Sequence, residues 1–181
     1  CNNASLEKLP DNARIGTSSL RRKAQLLAFR EDFKILDLRG NLDTRLKKLE
    51  TEDLDAIVVA RAGLLRMGYT GQVSQIIPFD IMLPAVGQGS LCIEIRKDDT
   101  RIQKIVSDID DEQTRIAVEA ERSLLAKLQG GCQVPIGAYA EVHGKEVSIE
   151  AIICTLDGDH AIRDRHSGPK NQAAKIGEEL A

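Results

Sequence analysis

Apolar positions in the first half of the chain alternate between short runs of β-favouring residues and longer stretches with helical spacing. The short runs lie at residues 14–16, 33–38 and 56–60, and the helical stretches follow at residues 18–30, 41–50 and 63–67. Helical stripes recur at Leu20, Ala24 and Leu27 and again at Leu42, Leu46 and Leu49. Parallel strands need crossover connections, which are normally helical, so this order predicts a parallel sheet covered by helices.

After residue 70 this alternation ends. A turn-rich segment at residues 83–89 leads into an apolar run at residues 91–95, which predicts a strand. A long amphipathic helix is predicted at residues 112–128, with core candidates Ile116, Val118, Leu124, Leu125 and Leu128, and it ends at Gly130 and Gly131. Three strands are predicted near residues 136–142, 147–154 and 160–166, with turns at 143–144 and 157–158, before a helix that begins near Gln172.

The two halves of the chain therefore predict two kinds of domain. Residues 1–90 are expected to form an α/β domain with a parallel sheet. Residues 108–181 are expected to form a small α+β domain, in which helices pack on a three-stranded antiparallel sheet. The segment between them, residues 91–107, fits neither domain.

Composition narrows the class of function. Aromatic residues make up 3% of the chain, there is no Trp, and the formal net charge is −3. A surface that stacks bases or follows a phosphate backbone needs aromatic residues and a basic excess, so a nucleic-acid partner is not expected.

The cysteines and the apolar runs bear on metals and on the cellular compartment. Cys1, Cys92, Cys132 and Cys154 are widely spaced and form no cluster with the three histidines, so no metal site is predicted. No apolar run approaches the ~20 residues that span a bilayer, which favours the cytoplasm and no membrane partner. Because the chain begins with Cys1 rather than Met, we expect it to be part of a longer protein.

Candidate chemistry concentrates where the predicted strands turn into helices. The first turn has small residues followed by two cations, in the order Gly16-Thr17-Ser18-Ser19-Leu20-Arg21-Arg22. Ser18 or Ser19 can cap the helix, whose first N–H groups and positive dipole end favour anions. Arg21 and Arg22 are electrostatically disfavoured at such an end, and a bound anion would relieve that conflict.

The next two strands end in similar sequences. The second is followed by Leu38-Arg39-Gly40-Asn41 and Arg45, and the third by Ala60-Arg61-Ala62-Gly63 and Arg66. Since ligands bind at the carboxyl edge of open α/β sheets, these turns are expected to converge on one crevice. Arginine matches carboxylates in two-point hydrogen bonding, so the predicted ligand carries several of them. Taken singly, a residue such as Arg61 is more often a solvated surface charge paired with an acidic residue.

Cys132 has unusual surroundings for a cysteine. It follows two glycines and precedes a proline in Gly130-Gly131-Cys132-Gln133-Val134-Pro135-Ile136-Gly137. Such an irregular backbone is compatible with an accessible, reactive thiol and also with an inert one. The other three cysteines are not expected to have a chemical function. Cys92 and Cys154 lie in apolar strand runs, and Cys1 lies at the end of the chain.

Together these strings, with Leu83-Pro84-Ala85-Val86-Gly87-Gln88-Gly89 and Thr44-Arg45, resemble the porphobilinogen deaminase (hydroxymethylbilane synthase) family. They occur in the same order over almost the whole chain. The resemblance implies a transferase of tetrapyrrole and heme biosynthesis, which joins four porphobilinogens head to tail with loss of ammonia on a covalent dipyrromethane primer. It also implies a monomer whose ligands are porphobilinogen and polypyrrole intermediates.

The resemblance extends to individual residues. Cys132 matches the cysteine that carries the dipyrromethane through a thioether, and Arg66 and Arg122 match substrate contacts. The remaining implied cofactor contacts are Thr17, Ser19, Arg21, Arg22, Arg39, Asn41, Arg45, Ala60, Gly63 and Gln88.

The resemblance also sets expectations for the domains. Residues 1–90 would be the family's second domain, with a fold like that of periplasmic binding proteins, and residues 91–107 would return into an N-terminal domain. The family's catalytic aspartate belongs to that domain and has no match here, so the chain by itself is expected to be inactive.

Two other functions fit parts of the pattern. A non-enzymatic anion-binding module would explain the arginines and would leave Cys132 without a role. An enzyme of phosphate ligands could use the 16–22 turn, but the sequence has no Gly-x-x-x-x-Gly-Lys loop.

Overall fold

The structure is a computed structural model, and it describes residues 5–129 and 134–181. Three short strands and three helices alternate in the first part of the chain. They are β1 (Arg14–Gly16), α1 (Leu20–Phe29), β2 (Lys34–Leu36), α2 (Leu42–Thr51), β3 (Ala56–Ile57) and α3 (Arg61–Arg66). All three strands are parallel in the order β2-β1-β3, with Ile15 opposite both Ile35 and Ala56. The predicted parallel sheet is confirmed.

Two more helices precede the second sheet. They are α4 (Thr100–Ser107) and α5 (Glu112–Lys127). The sheet itself is antiparallel, in the order β4-β5-β6, and α6 follows it; the ranges are β4 (Ile136–His143), β5 (Glu146–Cys154), β6 (Ala161–Pro169) and α6 (Ala173–Leu180). The predictions of a long helix, three late strands and a final helix are therefore confirmed. Both predicted turns contain a glycine of positive φ, Gly144 and Gly158.

The described residues form two compact units. One contains residues 5–83, 134–135 and 153–162, and the other contains residues 84–129, 136–152 and 163–181. The core of the first is built from aliphatic residues and one aromatic: Leu6, Ala13, Ile15, Leu26, Phe33, Val58 and Met82. In the second, α5 packs against β4 and α6, and its buried residues include Ile116, Ala120 and Leu124. Within the described residues, no helix is both long enough and apolar enough to cross a bilayer.

The buried faces of the helices differ in part from the predicted stripes. In α1, Ala24 is buried, but Leu20 is exposed and Leu27 is only half-buried. Arg21 and Gln25 are buried in their place because both hydrogen-bond to the main chain of Leu83.

The other two predicted stripes also need correction. The three leucines of α2 are half-buried, and no residue of this helix is fully buried. In α5, Ile116 and Leu124 are buried as predicted, whereas Val118, Leu125 and Leu128 are half-buried.

The prediction of a strand at residues 91–95 is wrong. The segment has no strand partner among the described residues, and a strand needs a neighbour for its main-chain N–H and C=O groups. Leu91 is 81% exposed, and Ile93 is also exposed. Apolar character alone produced the prediction.

Candidate functional site

The turn between β1 and α1 is held by its own side chains and by the segment after β2. The Ser18 hydroxyl donates to the Leu38 carbonyl at 2.6 Å and accepts from the Leu38 N–H at 3.1 Å. The Ser19 side chain caps α1 by accepting from the Arg22 N–H, and buried Thr17 accepts from the Ser19 N–H at 3.3 Å. Of the two predicted capping residues, Ser19 is the cap and Ser18 is the tie between neighbouring strand ends.

Arg21 and Arg22 are drawn inward from the first turn of α1. Arg21 is 8% exposed and donates through Nη1 to the carbonyl of Leu83. Arg22 is half-buried and donates through Nη1 to the Val58 carbonyl at 2.8 Å. Burial lowers the pKa of Arg21 to about 10, with a smaller contribution from the charge of Arg22. Arg21 therefore keeps its charge at neutral pH.

Arg45 brings a third guanidinium to this edge of the sheet. Its Nε donates to the Gly40 carbonyl at 2.8 Å, and its charge is the second cause, after burial, of the lowered pKa of Arg22. Gly40 has φ of +119°, and an added Cβ would lie 2.7 Å from Thr44, so this turn requires glycine. Asn41 caps α2 by accepting from the N–H of Thr44 at 2.9 Å.

Arg39 differs from these three arginines. Its side chain is 85% exposed, and Nε donates to Asp37 at 2.9 Å. The neighbouring Ser18 side chain is the main cause that lowers the pKa of Asp37, and Arg39 adds to it. Arg39 is thus already paired with a carboxylate at the surface.

The third strand contributes less charge to this edge than the sequence predicts. Helix α3 begins at Arg61, earlier than the predicted residue 63, and exposed Ala60 precedes it without a side-chain cap. Gly63 lies inside the helix, where an added Cβ would make ordinary contact with Leu42 at 3.6 Å. Arg66 is exposed in the last turn.

Three predicted site residues fall outside the first unit as described. Exposed Gln88 accepts through Oε1 from the Ala85 N–H at 3.1 Å, and Arg122 is exposed on α5; both belong to the second unit. Cys132 lies outside the described residues. Of the other described cysteines, Cys154 is buried, and burial raises its pKa, whereas Cys92 is exposed and lies in no strand, contrary to its predicted place in an apolar strand.

Two buried polar side chains were not predicted from the sequence. Gln25 is 1% exposed and pairs with the main chain of Leu83. Glu121 is 5% exposed; Oε2 accepts from the Gly87 N–H at 2.6 Å and Oε1 accepts from the Ala140 N–H at 2.9 Å. Gln25 lies between buried Ala24 and Leu26, and Glu121 follows buried Ala120, so both interrupt apolar runs of their helices. That interruption was the available signal.

The cationic edge is suited to an anionic ligand. Arg21, Arg22 and Arg45 all donate to main-chain carbonyls, which satisfy N–H groups but carry no net charge. A guanidinium has five donors in a planar fork, and this fork matches a carboxylate in two-point hydrogen bonding. Placing like charges together beside the N-terminal end of a helix costs free energy that an anion would offset.

Comparison with known proteins identifies the family. Residues 1–104 match the family model described as the dipyromethane cofactor binding domain of porphobilinogen deaminase, and residues 115–181 match the model of its C-terminal domain. The chain is 51% identical over 176 residues to a porphobilinogen deaminase of Desulforamulus reducens and, over the same length, 51% identical to one of Pelotomaculum thermopropionicum. A Geobacillus kaustophilus relative of the same name is 50% identical over 172 residues.

These relatives are longer than the chain. The alignments cover 97%, 97% and 94% of this chain but 57%, 56% and 56% of the respective relatives, so the chain spans little more than half their length. Both family models and the three relatives agree over nearly all of its residues. The chain belongs to the porphobilinogen deaminase family.

Proposed function

We propose that this chain provides the part of a hydroxymethylbilane synthase that binds the carboxylates of a dipyrromethane cofactor and of the growing polypyrrole. The complete reaction would condense four porphobilinogens head to tail and release one ammonia at each condensation, and one water would then release the chain as hydroxymethylbilane. The observation that supports this most directly is the cluster of Arg21, Arg22 and Arg45, whose guanidinium groups donate to neutral main-chain carbonyls at the carboxyl edge of the parallel sheet.

The donors present fit such a ligand. Pyrrole rings of this pathway carry acetate and propionate groups, and arginine forks and helix N-terminal N–H groups bind carboxylates. The cofactor would supply a covalently held pyrrole primer. The proposed cofactor contacts are Thr17, Ser19, Arg21, Arg22, Arg39, Asn41, Arg45, Ala60, Gly63 and Gln88, and the proposed substrate contacts are Arg66 and Arg122.

Arg39 requires a rearrangement in this proposal. Its guanidinium already meets the carboxylate of Asp37 at 2.9 Å on the surface. An exposed pair of this kind contributes at most about 1 kcal/mol, so an incoming ligand carboxylate can replace Asp37 at small cost. We therefore assign Arg39 an exchangeable contact and the buried Arg21 a fixed one.

The domain organisation is part of the proposal. Residues 1–90 would form the cofactor-binding domain with a fold like that of periplasmic binding proteins, residues 108–181 the domain that carries Cys132, and residues 91–107 a return segment. The exposure of Leu91, Ile93 and Ile105 supports this role for the return segment, because such apolar surface is normally covered. The catalytic aspartate would lie in the covering N-terminal domain, and the complete enzyme would be a cytoplasmic monomer.

Intact mass under denaturing conditions tests the proposed cofactor attachment. The complete enzyme, produced in cells that make porphobilinogen, should carry an adduct of dipyrromethane mass, and peptide mapping should place it on Cys132. Cys132→Ser should remove the adduct, whereas Cys92→Ser, at an exposed cysteine, should keep it. An unmodified Cys132 peptide in the wild-type protein would contradict the proposal and would favour a reversible anion-binding module.

A further inference from the structure

The amide of Gln25 pairs with both polar main-chain groups of Leu83. Its Oε1 accepts from the Leu83 N–H at 2.8 Å, and its Nε2 donates to the Leu83 carbonyl at 3.1 Å. Nε2 also lies 3.4 Å from the Arg21 carbonyl. Both side chain and peptide are buried, and the two residues are 58 positions apart. The side chain therefore fixes a distant peptide as a neighbouring strand would.

The same carbonyl holds Arg21. The Nη1 of Arg21 donates to the Leu83 oxygen, so one oxygen accepts from both side chains. Arg21 and Gln25 are four residues apart and therefore lie on one face of α1. Gln25 bonds to both the N–H and the oxygen of Leu83, so it helps to fix the direction of a carbonyl that holds the buried guanidinium.

We propose that Gln25 is a positioning residue for Arg21, which it holds in place for carboxylate binding through the Leu83 peptide. The inference rests on the proposed function of Arg21. Glutamine is the residue that this geometry requires, because it offers an acceptor to the Leu83 N–H and a donor to the Leu83 oxygen at once. Glutamate would place a second oxygen against two carbonyls, and methionine would leave a buried N–H without its acceptor.

Binding of a small polycarboxylate tests this role without catalysis. The probe is benzene-1,3,5-tricarboxylate, titrated calorimetrically into cofactor-free protein, and the variants are Gln25→Met, Arg21→Lys and the double variant. Gln25→Met should weaken binding by about tenfold, comparable to the loss of one charge-assisted hydrogen bond. Gln103→Met, at an exposed glutamine of α4, is the matched control and should bind as wild type.

The double variant separates positioning from a merely structural role. If Gln25 acts through Arg21, Gln25→Met should cause no further loss of affinity in the Arg21→Lys background. Additive losses, or an unchanged affinity of Gln25→Met, would overturn the inference. The ¹⁵N signal of the Arg21 Nε–H group, assigned by its disappearance in Arg21→Lys, should also shift in Gln25→Met.

Two further outcomes are distinguishable. If Arg21→Lys itself binds the probe as tightly as wild type, the proposed function of Arg21 fails. If only Gln25→Met binds normally, the positioning role alone fails. Should Gln25→Met not fold, Gln25→Glu replaces it, since that variant keeps the acceptor for the Leu83 N–H; there we expect the new carboxylate to attract Arg21 and to weaken probe binding at least as much.

Discussion

The two units of this protein each bury a charged side chain among main-chain groups, with different consequences. Arg21 in the first unit donates to a carbonyl, and Glu121 in the second accepts from two N–H groups. Burial lowers the pKa of Arg21 to about 10 and raises that of Glu121. In Glu121 each oxygen already holds a donor from the fold, whereas the charge of Arg21 lies beside the like charge of Arg22. We interpret Glu121 as an internal tie and Arg21 as a binding group.

Helical glycines give the largest expected difference between the two units. A Cβ on Gly177 of α6 would lie 2.0 Å from the Ala120 carbonyl oxygen of α5, so the helices would have to separate. We expect Gly177→Ala to lower the free energy of unfolding by about 3 kcal/mol. In the first unit, Gly63→Ala adds a Cβ at ordinary contact distance inside α3, and it should be neutral or stabilising by up to about 1 kcal/mol. Urea unfolding measures both.

Equal losses for these two alanine variants would contradict this difference in packing. A large loss at Gly63 alone would show that the first unit is the more tightly packed at its helices. The comparison needs no ligand, so it tests the fold independently of the proposed function.

Glu121→Gln should produce the next largest effect. The amide keeps one acceptor but turns an NH₂ group toward the other N–H, either that of Gly87 or that of Ala140. One buried donor then lacks a partner, and we expect a loss of about 2 kcal/mol in urea unfolding at pH 7. Glu119→Gln, at an exposed position of the same helix, should change stability by less than about 0.5 kcal/mol. Similar values for the two variants would contradict the role of Glu121 as a tie.

Arg21→Met should have a smaller effect on stability and a larger one on binding. Methionine fills a similar volume without a buried charge, and Gln25 still donates to the Leu83 carbonyl. We expect a change in the free energy of unfolding below about 1 kcal/mol, because removing a buried charge offsets the lost hydrogen bond. Affinity for benzene-1,3,5-tricarboxylate should fall by at least about tenfold. If Arg21→Met were strongly destabilised but bound the probe with unchanged affinity, Arg21 would be an internal tie and not a binding group.

Sequence patterns predicted the order of elements better than they predicted which faces are buried. The β-α-β alternation and the three late strands follow from local periodicity, which the fold preserves. The buried positions of Arg21, Gln25 and Glu121 depend on hydrogen bonds to residues at least 19 positions away, such as the one between Glu121 and the Ala140 N–H. Periodicity carries no information on such partners, so the polar interruptions were not interpreted as core.

In the candidate site, too, the position of the turns could be predicted but the partners of individual side chains could not. The cationic turns at the strand ends could be predicted because parallel strands share one carboxyl edge. Their individual states could not, since Arg39 pairs with Asp37 at the surface while Arg22 reaches a carbonyl after β3. At residues 91–95 a strand was predicted that the structure does not contain. Apolar character led to this error, because strands share it with surface that another part of a protein would cover.

The pH dependence of stability gives the smallest effect and the closest test of Glu121. Burial is the main cause that raises its pKa above the ordinary value of 4.5, and the two N–H bonds oppose that rise. The folded state therefore holds the proton more tightly than the unfolded state. Between pH 4.5 and the raised pKa the folded state binds more protons, so the contribution of this group to the free energy of unfolding falls as pH increases.

Comparison with Glu121→Gln isolates that contribution, because the amide does not titrate in this range. We expect the stability difference, wild type minus variant, to be greatest near pH 4.5 and to decline as pH rises through the window above it. Urea unfolding at several pH values measures the difference, and Glu119→Gln is the control for exposed carboxylates of α5. A difference that increases with pH would mean that the N–H groups of Gly87 and Ala140 lower the pKa of Glu121 more than burial raises it. The fold would then stabilise the ionised form of Glu121.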